Sequence, residues 1–112
     1  KWAAPFDGNV VTDGPFLVDM PNRNLLMLWS TGGHNGYCIG AARSVSGNVL
    51  GPWVQEEYAI FDRDGGHGML FTALEGETFI CIHQPNEPGL ERPVLLPVKI
   101  TDKDIIPVGS IR

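Results

Sequence analysis

One hairpin-sized block occurs twice in this chain, its copies about 54 residues apart. In the first copy Asp13-Gly14-Pro15-Phe16-Leu17-Val18 runs to a turn at Pro21-Asn22-Arg23-Asn24 and returns as Leu25-Leu26-Met27-Leu28-Trp29-Ser30. In the second, Gly66-His67-Gly68-Met69-Leu70-Phe71-Thr72 runs to a turn at Glu75-Gly76-Glu77 and returns as Thr78-Phe79-Ile80-Cys81-Ile82-His83. A repeat of this length is one supersecondary unit that buries its faces against neighbours, and the period is that of propeller blades. The spacing sets Asp13 of one copy against His67 of the other, one structural unit given two chemical roles.

Short apolar runs bounded by Gly, Pro, Asn and Asp, with no sustained helical period, predict an all-β chain. The 14 glycines and nine prolines agree. Strands are expected at 15–20, 25–31, 36–44 and 52–57, then at 67–74, 77–83, 92–100 and 104–111. Four strands per unit make two β-propeller blades, 13–57 and 66–112, with residues 1–12 leading in through a turn at Pro5-Phe6-Asp7-Gly8. Two blades leave two faces open, and stable repeat proteins need at least about three units. The chain, which begins at Lys1, is therefore expected to be the C-terminal part of a larger propeller, residues 1–112 all belonging to it, or to associate with itself.

In an antiparallel blade the start of the first strand and the end of the second share one edge. Asp13, Ser30 and the loop Thr31–Asn35 are thus expected on one face, with His67, His83 and the loop Gln84–Glu91 beside them. The opposite face receives only tight turns. Asp13 is a candidate acid, or a turn aspartate bonding its own backbone. His67 is flanked by Gly66 and Gly68, which either admit a ligand close to the imidazole or relieve crowding near the axis. Arg92 precedes Pro93, which extends its backbone and aims its fork of donors at the functional face; the alternative is an ion pair with Glu91 or Asp13. His34 and His83 are further candidate sugar contacts, though each taken alone reads rather as an ordinary loop or strand-end residue. Trp29 and Trp53 read as interblade core rather than sugar-stacking platforms. Cys38 and Cys81 lie in apolar runs and read as small buried hydrophobes.

The formal charge of −5 and the eight scattered Lys and Arg exclude a nucleic-acid surface, since phosphate binding needs clustered cations. No apolar run approaches the roughly 20 residues that span a bilayer, so no membrane role is expected. A neutral or weakly charged ligand fits better.

Five motifs occur in order: Val11-Thr12-Asp13-Gly14-Pro15-Phe16-Leu17, Gly36-Tyr37-Cys38-Ile39-Gly40-Ala41-Ala42-Arg43-Ser44, Gly51-Pro52-Trp53, Gly65-Gly66-His67-Gly68-Met69 and Glu91-Arg92-Pro93. Together they resemble the last two blades of glycoside hydrolase family 43, five-bladed propeller enzymes acting on arabinans, xylans and related plant polysaccharides. The resemblance implies an inverting glycosidase of the arabinosidase or xylosidase kind, with an oligosaccharide or polysaccharide as substrate. It puts Asp13 at the general-acid position, where the family usually has Glu, and leaves the general base and the tuning acid to blades upstream. It matches His67 to an axial histidine that often helps hold calcium through water, and Arg92 to a substrate-contacting arginine. A secreted or bacterial periplasmic location goes with such substrates, and the chain alone is expected to be inactive. The Asp in place of Glu also fits a rival, a carbohydrate-binding propeller fragment without catalysis.

Overall fold

The computed structural model describes residues 2–5 and 10–109. The expected turn at Phe6-Asp7-Gly8 and the last residues of the 104–111 strand lie outside them. Within them the chain is all strand: β1 (Asp13–Asp19), β2 (Leu25–Gly33), β3 (Gly36–Ser44) and β4 (Trp53–Gln55) form one antiparallel sheet in chain order. The second sheet repeats it with β5 (Gly66–Thr72), β6 (Thr78–Gln84), β7 (Arg92–Ile100) and β8 (Ile105–Pro107). These are two propeller blades. Among the described residues no helix is long and apolar enough to cross a membrane.

Period-2 alternation decides which face of each sheet is covered. In β2, Leu26, Leu28 and Ser30 are buried while Met27 and Trp29 on the other face are half-buried. The buried faces of the two sheets meet in one core of Val18, Leu26, Leu28, Ile39, Ile80, Ile82, Leu96 and Val98. Each fully buried Leu or Ile there contributes about 1.5–3 kcal/mol. Trp29 and Trp53 are not in this core. With Met27, Pro15, Ala42, Gln55, Thr12 and Asp13 they line a groove of about 370 Å³ on the face of the first sheet turned away from the second. The indole of Trp2 lies on that same sheet, 5.5 Å from Trp29 and so close over Gly40 that a Cβ there would stand 2.1 Å from it.

Several strands differ in length from expectation, β4 among them, which covers only Trp53–Gln55 of the expected 52–57. β2 continues through Gly33 because Thr31, Gly32 and Gly33 pair with Cys38, Tyr37 and Gly36, and the expected loop shrinks to His34-Asn35. The leading segment supports the same stretch from its other side, Ala3 bridging Gly33 and Ala4 N–H donating to the Gly32 carbonyl. β8 is short, Ile105–Pro107, with the Val108 N–H adding one bond to the Pro97 carbonyl of β7.

The repeat itself needs a correction of one residue. Asp13 pairs with Ser30 and Gly66 with His83, and each first strand then bulges before Phe16 meets Leu28 and Met69 meets Cys81. Asp13 is therefore equivalent to Gly66, and His67 to Gly14. Both bulge residues are left-handed, φ 53° at Gly14 and 54° at His67.

Candidate active site

Asp13 pairs with Ser30 at the start of β1, just before the bulge, and its side chain is half exposed. Its Oδ1 accepts the Gly14 N–H at 2.9 Å, which is the turn-aspartate alternative realised. Its Oδ2 accepts the Tyr37 hydroxyl at 2.8 Å and lies 3.5 Å from His67 Nδ1. The bond from Tyr37, with His67 nearby, holds the Asp13 carboxyl below its ordinary value of 3.8 even against the desolvation that opposes it. Tyr37 moves the other way, because its buried phenol is desolvated and faces a carboxylate. Asp13 in this chain is thus an ionised acceptor at neutral pH.

Tyr37 is held from several sides. Its N–H donates to Asp64 Oδ1 at 3.1 Å, its carbonyl accepts Gly65 N–H at 2.9 Å, and its ring stacks on His83 with centroids 5.4 Å apart. Asp64 also reaches the Asn86 N–H, tying the loop after β6 to β3, and His83 Nε2 meets Asn86 Oδ1 at 2.7 Å. Val11, Asp13, Gly32, Tyr37, His83 and Asn86 enclose a cavity of about 240 Å³. Ser30, fully buried, accepts the His67 N–H at 2.8 Å.

The glycines around His67 answer to crowding. A Cβ at Gly66 would stand 2.6 Å from the Tyr37 ring, and one at Gly68 2.6 Å from Ile80 Cγ2. The first contact, and one of 3.0 Å from the Gly68 Cβ position to Ile39 Cδ1, bring the two sheets close here, while the His67 side chain stays exposed.

Three of the five expected residues, Asp13, His67 and His83, come together here. Arg92 starts β7 at the same edge, but its guanidinium donates to the Glu91 carbonyl at 2.7 Å and the Gly89 carbonyl at 3.5 Å rather than to a carboxylate. His34 is exposed at the β2–β3 turn and does not line the cavity. Ser30 and Asn86 were expected on this face, though with no role of their own; Tyr37 and Asp64 were not foreseen.

Calcium asks for six to eight oxygen ligands. Among the described residues no group of three or more His, Cys, Asp or Glu side chains converges. Cys38 and Cys81 are free; burial pushes the Cys38 thiol up to about 11, and its Sγ bonds the Thr31 carbonyl. That thiol is a packing group, not a nucleophile.

Three solved structures are similar to this chain. An endo-arabinase from Bacteroides thetaiotaomicron VPI-5482 is 43% identical, with a TM-score of 0.80 over 90% of this chain and 37% of its own. A thermostable family-43 glycoside hydrolase is 24% identical, with a TM-score of 0.74 over 95% of this chain and 38% of its own. An endo-1,4-beta-xylanase, also from Bacteroides thetaiotaomicron VPI-5482, is 21% identical, with a TM-score of 0.72 over 90% and 38%. The last two speak for the fold alone. The chain spans less than two-fifths of the length of each. No family model matches the chain, and no curated protein sequence does.

Proposed function

The chain belongs to glycoside hydrolase family 43, and from that premise we propose that it forms the proton-donor part of a glycosidase that cleaves arabinan- or xylan-type polysaccharides with inversion. The observation that carries the proposal is Asp13: a half-exposed carboxyl, fixed by Gly14 and Tyr37, at the mouth of a cavity walled by an aromatic ring and two polar side chains. In this role Asp13 protonates the glycosidic oxygen while a base carboxylate, about 6.5–9.5 Å away in an inverting enzyme, activates water.

A donor must hold its proton near the working pH, and Tyr37 and His67 pull Asp13 the other way. A second carboxylate close to Asp13 would reverse that balance, because two adjacent negative charges oppose ionisation. Such a tuning acid, like the base, would come from outside this chain. Without the base the chain alone is expected to lose a factor of ~10²–10⁴ in rate. Arg92, His83 and His34 are proposed as sugar contacts from the same edge. For His67 we propose a water-mediated contact to an axial calcium whose oxygen ligands lie outside this chain. A secreted or bacterial periplasmic location of the protein belongs to the same reading.

Asp13→Asn in the full-length protein tests it. Hydrolysis of aryl arabinosides and xylosides should fall by at least ~10²; wild-type turnover in the variant would remove Asp13 from the reaction. The ionised state of Asp13 favours a second reading, a propeller that binds carbohydrate without cleaving it. Retained binding with no hydrolysis by the wild type would support that one.

A further inference from the structure

The loop after β6 is built into the site from two directions. Asp64, on the connection ahead of β5, accepts the Tyr37 N–H of β3 on Oδ1 at 3.1 Å and the Asn86 N–H on Oδ2 at 3.3 Å. Its backbone is left-handed, φ 56°, and its carboxylate occupies the space that a Cβ on Gly36 would take. The bond to Asn86 is to the backbone, so the loop is held whatever side chain stands at that position. The side chain is fixed separately. An amide oxygen only accepts, so the 2.7 Å bond between Asn86 Oδ1 and His83 Nε2 is donated by the ring. That ring is stacked on Tyr37, which sets its plane. With Oδ1 taken, the Asn86 amide has its two N–H donors to offer, and Asn86 lines the same cavity as Asp13.

We propose that Asn86 is a sugar-binding residue of this site, donating from Nδ2 to a hydroxyl oxygen of the sugar in the cavity, and that His83 is the positioning residue that keeps the amide turned that way. The inference rests on the reading of the site as that of a polysaccharide-cleaving enzyme. A neutral hydroxyl is the acceptor the cavity suits. Its walls carry the Asp13 carboxylate and no lysine or arginine, so a sugar carboxylate would meet like charge with no cation to offset it. An amide already held at its oxygen has one direction in which to donate, so little side-chain freedom is lost when the sugar arrives. A sugar lacking that hydroxyl would leave the donors unpaired, and a site of this kind discriminates against such an analogue.

Binding of arabinotriose and xylotriose by the full-length protein carrying Asp13→Asn, followed by calorimetry without turnover, tests this. Adding Asn86→Ala to that parent keeps the backbone bond to Asp64 and removes the amide. The Kd for the sugar the parent binds should rise roughly three- to tenfold, the loss of one neutral hydrogen bond. In the parent itself, the side-chain NH₂ signals of Asn86 in ¹⁵N-resolved NMR should shift as that sugar is added. An unchanged Kd in folded Asn86→Ala, or NH₂ signals that stay in place at saturation, would overturn the contact. His83→Phe keeps a ring against Tyr37 but loses Nε2, and in that background Asn86→Ala should cost less affinity than in the parent. Costs that simply add would overturn the positioning role of His83. A parent that binds neither sugar would sink the reading of the site, and the inference with it. A parent that binds, with Asn86→Ala binding equally well, would sink the Asn86 contact alone.

Discussion

Gly14 and His67 hold the same place in the bulges of their two sheets, both with left-handed backbone, and the ring of His67 lies 3.0 Å from where a Gly14 Cβ would be. The first sheet fills the position with the residue that suits it. The second fills it with a side chain that adopts this backbone at a cost of order 1–3 kcal/mol.

His67→Gly should therefore raise stability, by roughly 1 kcal/mol, while Gly14→Ala should lower it by at least that much. Urea unfolding midpoints of the two variants check this. Equal midpoints would mean that the left-handed backbone is not what distinguishes the two positions.

A pH dependence follows from Asp13. Its carboxyl is depressed in the folded protein, so its contribution to stability is present above the unfolded value, near 3.8, and is lost as pH falls through the folded value. Asp13→Asn should thus be less stable than the wild type at neutral pH, with the difference closing in acid. Thermal or urea unfolding across that range gives the comparison.

Calcium separates two neighbouring side chains. Binding to the native state adds RT ln(1 + [L]/Kd) to stability, about 2.7 kcal/mol at a hundredfold excess over Kd. His67→Ala should reduce the rise in melting temperature on adding calcium, and Asp13→Asn should leave it unchanged. Melts with calcium and with chelator decide the matter; a wild-type response in His67→Ala would remove the histidine from the ion.

The groove with Trp29 and Trp53 on one outer face, and exposed Met69 and Phe71 on the other, leave apolar surface of the kind that drives association. The 112-residue chain should sediment as a dimer or larger, and Trp29→Glu should shift it toward monomer. A monodisperse wild-type monomer would show that these faces do not need a partner.

The strand pattern was open to reading because it is written in alternation and punctuation. β3 and β7 occupy the expected 36–44 and 92–100, β3 opening at Gly36 and β7 at Arg92 ahead of Pro93. The bulges were not open in the same way. An extra residue in a strand leaves no mark on composition, and it moved His67 opposite Gly14 instead of Asp13. Tyr37 was hidden by its surroundings, since a tyrosine ahead of Cys38 and Ile39 reads as core until the partner strand brings its hydroxyl to Asp13. Arg92 was placed at the right edge, but nothing in its own neighbourhood foretold that two carbonyls of its loop would take the guanidinium.

At the far edge of the sheets, away from Asp13, Arg43 of β3 is paired with Glu56 and reaches across to Asp104 and the Lys103 carbonyl of the second sheet, while Asn22 N–H bonds the Asp102 carbonyl. The bond from His67 to Ser30 fastens the same two sheets at the near edge. A wedge pinned at both ends has one tilt, and the separation of Asp13 from His67 is a property of that tilt and not of either loop. Loosening Arg43 would thus act on the site as a change of angle, felt at the carboxylate without touching it.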